Sequence, residues 1–281
     1  MERGQIYVIT HKPARLSLPE HYTKLYVGAA QLKAEEKAAL KGYRFDDGGE
    51  HISGKNSNFC ELTGLYWIWK NQKAGLVGIT HYRRFFVESG RLLTVERAEA
   101  VLKKADIIVA KRQWVEGNAK VHFERFHSKK DFHMVRQVIK QKYPDYLDSF
   151  DEAMGKCFLF SYNMMVCKKD VFDGYCAWLF DILEACEAQA DLTGYDQYQQ
   201  RIFGFLSERL LMVYLLHHKL SVAEMAVWET EVDKSTKWES KKWEMITVVK
   251  NFWNNHGIKT MRYGNGRFHA AKDRRGKRIG T

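Results

Sequence analysis

An apolar run over residues 76–80 is followed at once by His81, Tyr82, Arg83 and Arg84. Arginine keeps its charge at every physiological pH, and its planar fork of N–H donors matches phosphate oxygens. Ligands of α/β proteins bind outside the carboxyl ends of the strands, so a cationic cluster there could neutralise a diphosphate. A surface ion-pair cluster is the competing account. If the strand continued, Arg83 and Arg84 would alternate between faces, and at most one would enter a site. His11 stands in the equivalent place after the first apolar strand, residues 5–10, where a plain loop histidine is the alternative.

The acid–base candidates lie later in the chain. Asp196 sits between Tyr195 and Gln197, and Glu208 with Arg209 interrupts the otherwise apolar stretch 203–216. A buried carboxylate and guanidinium are costly unless paired, so Glu208 is either half of a structural ion pair or a site residue. Asp196 falls where a helix should start. An N-cap would explain it, and so would a general base acting on a sugar hydroxyl. Asn163, inside the apolar segment FSYNMMV, needs a partner, which could be a ligand or the backbone.

Metal ligation finds little support. Asp46 and Asp47 precede two glycines (DDGGE), and turn chemistry explains them. No D-x-D triplet follows a hydrophobic strand. His122, His127 and His133 have no carboxylate company and read as a solvated helix face.

These groups need elements to hold them. Strands are expected over residues 5–10, 24–29, 76–80 and 106–110, and over 156–167 with a polar break at Ser161, Tyr162 and Asn163. Helices are expected over 58–71, 95–104, 121–142, 170–186 and 198–217. In the first of these, Asn58 and Glu61 form a capping-box pattern, and Phe59, Leu62, Leu65, Tyr66 and Trp69 keep helical spacing. Strands alternating with helices imply an α/β fold, a mostly parallel sheet with helices on both faces. Signals weaken after Val222, where Trp228, Trp238 and Trp243 stand among charges.

A chain of 281 residues can form one large domain or two small ones. Its five cysteines show no C-x-x-C spacing and fit free thiols in a reducing cytoplasm. The start, MERGQIYVIT, lacks a signal-peptide pattern. The longest apolar block, residues 210–216, is far short of the roughly 20 residues that cross a bilayer. Net charge is +11, but residues 259–281 hold eight Lys or Arg and one Asp, so +7 sits there and +4 on the rest. Such a tail suits anionic lipid head groups or another polyanion; a solvated tail is the plainer account.

The blocks IYVITHK, CELTGLYWIWKN, HYRRFF, FSYNMMVCKKDVFDGYCAWLFDIL and RIFGFLSERLL run in order through about residues 5–218. In these blocks the chain resembles the bacterial glycosyltransferases of capsule, exopolysaccharide and O-antigen biosynthesis, some of which are galactofuranosyltransferases. The resemblance implies a GT-A-like, Rossmann-type domain over residues 1–225, with a helical, basic extension over 226–281. It implies a nucleotide-diphosphate sugar donor, UDP-linked, and a glycan or lipid-linked acceptor. Position by position, it puts donor contacts at Thr10, His11, Asn56, Glu61, Trp67, Lys70, His81, Arg83 and Arg84. It puts an acceptor contact at Asn163 and the catalytic acids at Asp196 and Glu208.

Arginines would then take the part that a divalent Mn or Mg ion plays in other GT-A enzymes, with a metal requirement left open. Where the family carries a GDNIS-like turn, this chain has Gly49, Glu50, His51, Ile52 and Ser53, which would alter donor or metal preference. The enzyme would be cytoplasmic, its basic tail at the inner face of the membrane. The rival expectations are a non-enzymatic polyanion- or nucleic-acid-binding protein, resting on the charge and the aromatics, and an inactive scaffold of a polysaccharide assembly.

Overall fold

The computed structural model describes residues 4–14 and 18–230, and the backbone of two short paired strands at residues 262–264 and 267–269. The rest of the basic extension, with the helix expected in it, lies outside the described residues. The chain opens with β1 (Gln5–Thr10), β2 (Tyr22–Tyr26), α1 (Ala34–Ala39), β3 (Tyr43–Phe45), α2 (Asn56–Phe59), α3 (Leu62–Asn71) and β4 (Leu76–His81). β5 (Arg84–Glu88), β6 (Arg91–Leu92), α4 (Val95–Leu102), β7 (Ile107–Ala110) and β8 (Gln113–Trp114) follow. Then come α5 (Ala119–Phe126), α6 (Lys129–Lys142), α7 (Leu147–Met154), β9 (Phe158–Leu159), β10 (Met165–Lys168), α8 (Lys169–Glu187), α9 (Ile202–His217) and β11 (Val222–Glu229).

One sheet of nine strands carries the fold, in the order β3-β2-β1-β4-β10-β7-β11-β5-β6. It is mixed, not mostly parallel as expected. β3, β2, β1 and β4 run parallel, as do β7 and β11. β10 is antiparallel to both its neighbours, and β5 is antiparallel to β11, β4 and β6. The reason lies in the connections. Parallel neighbours need a long crossover, whereas a two-residue turn can only reverse the chain, and β5 leaves β4 through such a turn at Tyr82 and Arg83. The His81–Arg84 pairing closes β4, β10, β7, β11 and β5 into a ring.

Alternate side chains go to opposite faces of a strand, and both faces here are covered. Tyr7 and Ile9 of β1, Val77 and Ile79 of β4, and Met165 and Cys167 of β10 face a large core with α3, α8 and α9. Leu76, Ile108 and Val166 face the other way, onto Ala98 and Leu102 of α4. Each fully buried aliphatic or aromatic side chain contributes roughly 1.5–3 kcal/mol. Gly64 lets α3 lie close on β1 and β2, since a Cβ there would sit 2.9 Å from Val27 Cγ1 and 3.0 Å from Ile9 Cδ1.

Several expected elements change. The helix expected over 58–71 is two helices, broken at Cys60 with φ 52°. Glu61, not Asn58, occupies the N-cap of the long one, and Asn58 Nδ2 instead donates to Gln200 O at 2.9 Å. The helix expected over 121–142 is also two, α5 and α6, parted at His127 and Ser128. β11 carries no strand signal read from the sequence, yet it pairs with β7 and β5 and runs straight across residue 225. Among the described residues, no helix is long and apolar enough to cross a membrane.

Candidate active site

A cavity of about 920 Å³ opens at the carboxyl ends of β1 and β4. β1 ends in Thr10 with His11 next in the chain, and β4 ends in His81; all three line it. The turn that joins β4 to β5 adds Tyr82 and Arg83, and the first residue of β5 adds Arg84. Both arginines reach the cavity because the chain reverses at Tyr82 and Arg83, so Arg83 sits in the turn and Arg84 opens the returning strand β5, and the alternation of one continuous strand does not apply. Arg84 Nε pairs with Glu229 Oε1 at 2.6 Å, and its guanidinium lies 4.1 Å from the Tyr162 ring centre. Arg83 lies over the Tyr82 ring at 5.0 Å.

The opposite wall comes from α2, the break after it, and the start of α9. Asn56 ties the break together, its Nδ2 donating to Cys60 O at 2.7 Å and Thr63 Oγ1 at 3.1 Å. Glu61 follows at the head of α3. Arg201, on a 3₁₀ turn over Gln199–Arg201, donates from Nε to Cys60 Sγ at 3.2 Å. Burial, with Glu61 adjacent, raises the Cys60 pKa to about 11, so this group is a thiol at neutral pH. Glu208 and Phe205 of α9 complete the wall.

The floor is a strained turn. Tyr162 and Asn163 have φ of 78° and 51°, a region that costs residues with a Cβ roughly 1–2 kcal/mol each. Four site residues hold it there. His81 Nε2 donates to Tyr162 O at 2.6 Å, and Tyr162 N donates to Glu208 Oε1 at 2.7 Å. Asn163 Nδ2 donates to Glu61 Oε1 at 2.7 Å, and Arg84 stacks on the Tyr162 ring. Strain kept by so many contacts is characteristic of functional sites.

The charges set the local chemistry. Burial first, and the positive charges of Lys12, Arg83 and Arg201 next, lower the His11 pKa. Burial likewise lowers that of His81, with Arg84 and Arg83 adding to it and Glu61 opposing. Glu208 is raised by burial and by Glu61, against the pull of Arg209. At neutral pH the histidines are therefore neutral hydrogen-bonding groups. The fixed cations of the lining are Arg83, Arg84 and Arg201, with Arg84 also paired to Glu229, and such groups suit an anionic ligand.

Thr10, His11, Asn56, Glu61, His81, Arg83, Arg84 and Glu208 are thus brought together around one cavity. Asn163 lies beneath it, fully buried, with a second contact to Gly204 O at 3.3 Å. Three others lie away from its lining. Trp67 is packed in the core and donates from Nε1 to Gly48 O at 2.7 Å. Lys70 pairs with Glu50 at 3.1 Å and covers the Trp69 ring. Asp196 accepts from Gln199 N at 2.7 Å, the capping contact open to it from the sequence. Glu50, the departure in the Gly49–Ser53 segment, also accepts from the Tyr66 hydroxyl at 2.8 Å. Cys60 and Tyr162 escaped the sequence because neither residue type signals positive φ. Arg201 stands in the sequence in the same cluster as Asp196 and Glu208, and it does line the cavity.

Of the three histidines expected on a solvated face, His133 is exposed, but His122 and His127 are not on one. His127 is buried against Phe205, and His122 Nδ1 accepts from Arg209 Nη2 at 3.0 Å. Cys167, Cys176 and Cys186 are buried free thiols, whereas Cys60 and Cys157 are half-buried. Among the described residues, no three His, Cys, Asp or Glu side chains converge as a metal site.

The fold is a mixed α/β domain with an arginine-lined cavity at its strand ends. The chain belongs to the family described as a domain of unknown function, DUF4422, whose model matches residues 5–219. Among solved structures, it is similar to the apo structure of the bifunctional glycosyltransferase WbbM, with a TM-score of 0.70 and 26% identity. The match covers 82% of this chain and 46% of that one, so the chain spans less than half of that protein's length. No curated protein matches the chain in sequence.

Proposed function

We propose that this chain is a glycosyltransferase of polysaccharide biosynthesis. It moves a sugar, galactose or galactofuranose, from a UDP-linked donor to a glycan or lipid-linked acceptor. One observation carries the reading. Arg83, Arg84 and Arg201 surround a cavity at the strand ends that also holds the carboxylates Glu61 and Glu208. The likeness to a bifunctional glycosyltransferase over most of this chain supports it. In this reading the arginines bind the diphosphate and stabilise the charge that grows on it as the glycosidic bond breaks. His11, His81 and Asn56 position the donor, and a carboxylate takes the proton of the acceptor hydroxyl. No step is routed through a metal ion. The +7 segment from Lys259 holds the enzyme against an anionic membrane surface.

Thermal denaturation with UDP, ADP and GDP, each with and without manganese, tests the nucleotide site. Ligand at about a hundred times its Kd adds about 2.7 kcal/mol to stability, so UDP raises the Tm by several degrees. Arg83→Ala weakens UDP binding by ten-fold or more, since a hydrogen bond to a charged group is worth roughly 1.5–3 kcal/mol. No response to any nucleotide would sink the proposal.

A further inference from the structure

Two carboxylates line the cavity, and their surroundings give them different work. Glu208 has both oxygens engaged. Oε1 accepts from Tyr162 N at 2.7 Å, and Oε2 accepts from Nη1 of the buried Arg209 at 3.0 Å. A proton arriving on Glu208 would disrupt the contact that holds the strained turn or the one that offsets a buried guanidinium. Glu61 is engaged on one side only. Its Oε1 accepts from Asn163 Nδ2 at 2.7 Å, and its Oε2 has no partner among the described residues. Its backbone is fixed at the head of α3, just after the break at Cys60. Asn163 is fixed in turn by Gly204 O and by its place in the turn. Asp196 lies away from the lining, its Oδ1 accepting from Gln199 N.

Resting on the glycosyltransferase reading, we propose that Glu61 is the catalytic base, and that Asn163 and Glu208 are positioning residues. The acceptor hydroxyl gives its proton to Glu61 Oε2 as its oxygen bonds to the anomeric carbon of the donor sugar. The bond from that carbon to the diphosphate oxygen breaks, and its electron pair leaves with the nucleoside diphosphate, held by Arg83, Arg84 and Arg201. Glu61 returns the proton to solvent when product departs. A direct displacement of this kind inverts the anomeric centre. The groups whose charges bear on Glu61 include His11 just after β1, His81 from β4, Cys60 at the break, Tyr175 from α8, Arg201 from the 3₁₀ turn and Glu208 from α9.

The full chain and its Glu61→Gln, Glu208→Gln and Asn163→Gly variants decide the assignment. Glycine is chosen at 163 because φ 51° strains other replacements. UDP binding is measured by calorimetry. UDP release is measured from UDP-galactose and UDP-galactofuranose with octyl β-galactoside as acceptor. Glu61→Gln binds UDP within about three-fold of the parent but releases it about a hundred-fold or more slowly, the range for a lost general base. Asn163→Gly loses kcat with UDP affinity kept. Glu208→Gln retains more turnover than Glu61→Gln, and its defect falls largely on KM. The product carries the anomeric configuration opposite to the donor's. Near-parental turnover by Glu61→Gln, a larger loss of kcat in Glu208→Gln, or a product with retained configuration overturns the base assignment while leaving the transferase reading intact. Failure of the parent to bind UDP overturns the reading beneath it.

Discussion

At the scale of single residues, the pocket is shaped as much by its supports as by its lining. Asp46 is fully buried and accepts hydrogen bonds from Gly28 N at 3.1 Å, Ala29 N at 3.0 Å and the Ser53 hydroxyl. It thereby fixes the loop after β2, next to Val27 and Asn56 of the cavity. Asp46→Ala would strand three donors, at a cost of about 3 kcal/mol. Urea denaturation should show that loss in the midpoint with little change in slope. A midpoint within experimental error of the parent would refute this role. The sequence marked Asp46 as a turn residue, and it does stabilise a turn, but a neighbouring one brought near by folding. Tyr162 was illegible for a similar reason. Its type favours strands, and only the surrounding His81, Glu208 and Arg84 keep it at φ 78°.

At the scale of elements, α5 is joined to α9 by histidines that folding keeps neutral. Burial, with Arg209 beside both, lowers His122 and His127 to about 4. His122 also faces Arg125 and His127, and His127 Nδ1 meets Gln199 Oε1 at 3.4 Å. A group whose folded pKa is depressed contributes stability above its unfolded pKa and loses it as pH falls toward the folded one. The window is therefore from about 6.5 down to about 4, and the loss is at most about 3 kcal/mol per histidine. Urea midpoints should hold steady above neutrality and decline through that window, and His122→Gln should flatten the decline. Glu208, whose pKa is raised, works in the opposite sense, so the comparison of parent with variant carries the result. Equal declines in both would refute the assignment.

The elements most legible in the sequence were those with a strong period of their own. β1 falls on residues 5–10 as expected, β4 is one residue longer at its end, and α8 is one residue longer at each end. The breaks were not legible. Cys60 and the His127–Ser128 junction interrupt continuous helical patterns, and tertiary contacts decide them: Arg201 on the Cys60 thiol, and the Phe205 ring stacked on His127 at 4.1 Å.

At the scale of the whole molecule, charge separates the extension from the body. With +7 on residues 259–281 and about 1 kcal/mol per basic residue near an anionic surface, the full chain should bind phosphatidylserine vesicles and release them as salt rises. Deleting residues 259–281 should abolish that binding while leaving UDP affinity unchanged. Vesicle binding that survives the deletion would rule out this role for the segment.

The close of β11 bears on how the gene can be dissected. Glu229 neutralises Arg84, and Thr230 N donates to the carbonyl of Arg83 at 2.9 Å. Residues 226–230 thus belong to the sheet that carries the Arg83–Arg84 corner of the cavity, and are not the first stones of an annex. A polypeptide trimmed at 225 forfeits half a strand of the ring and bares a guanidinium. One trimmed at 230 leaves that wall standing.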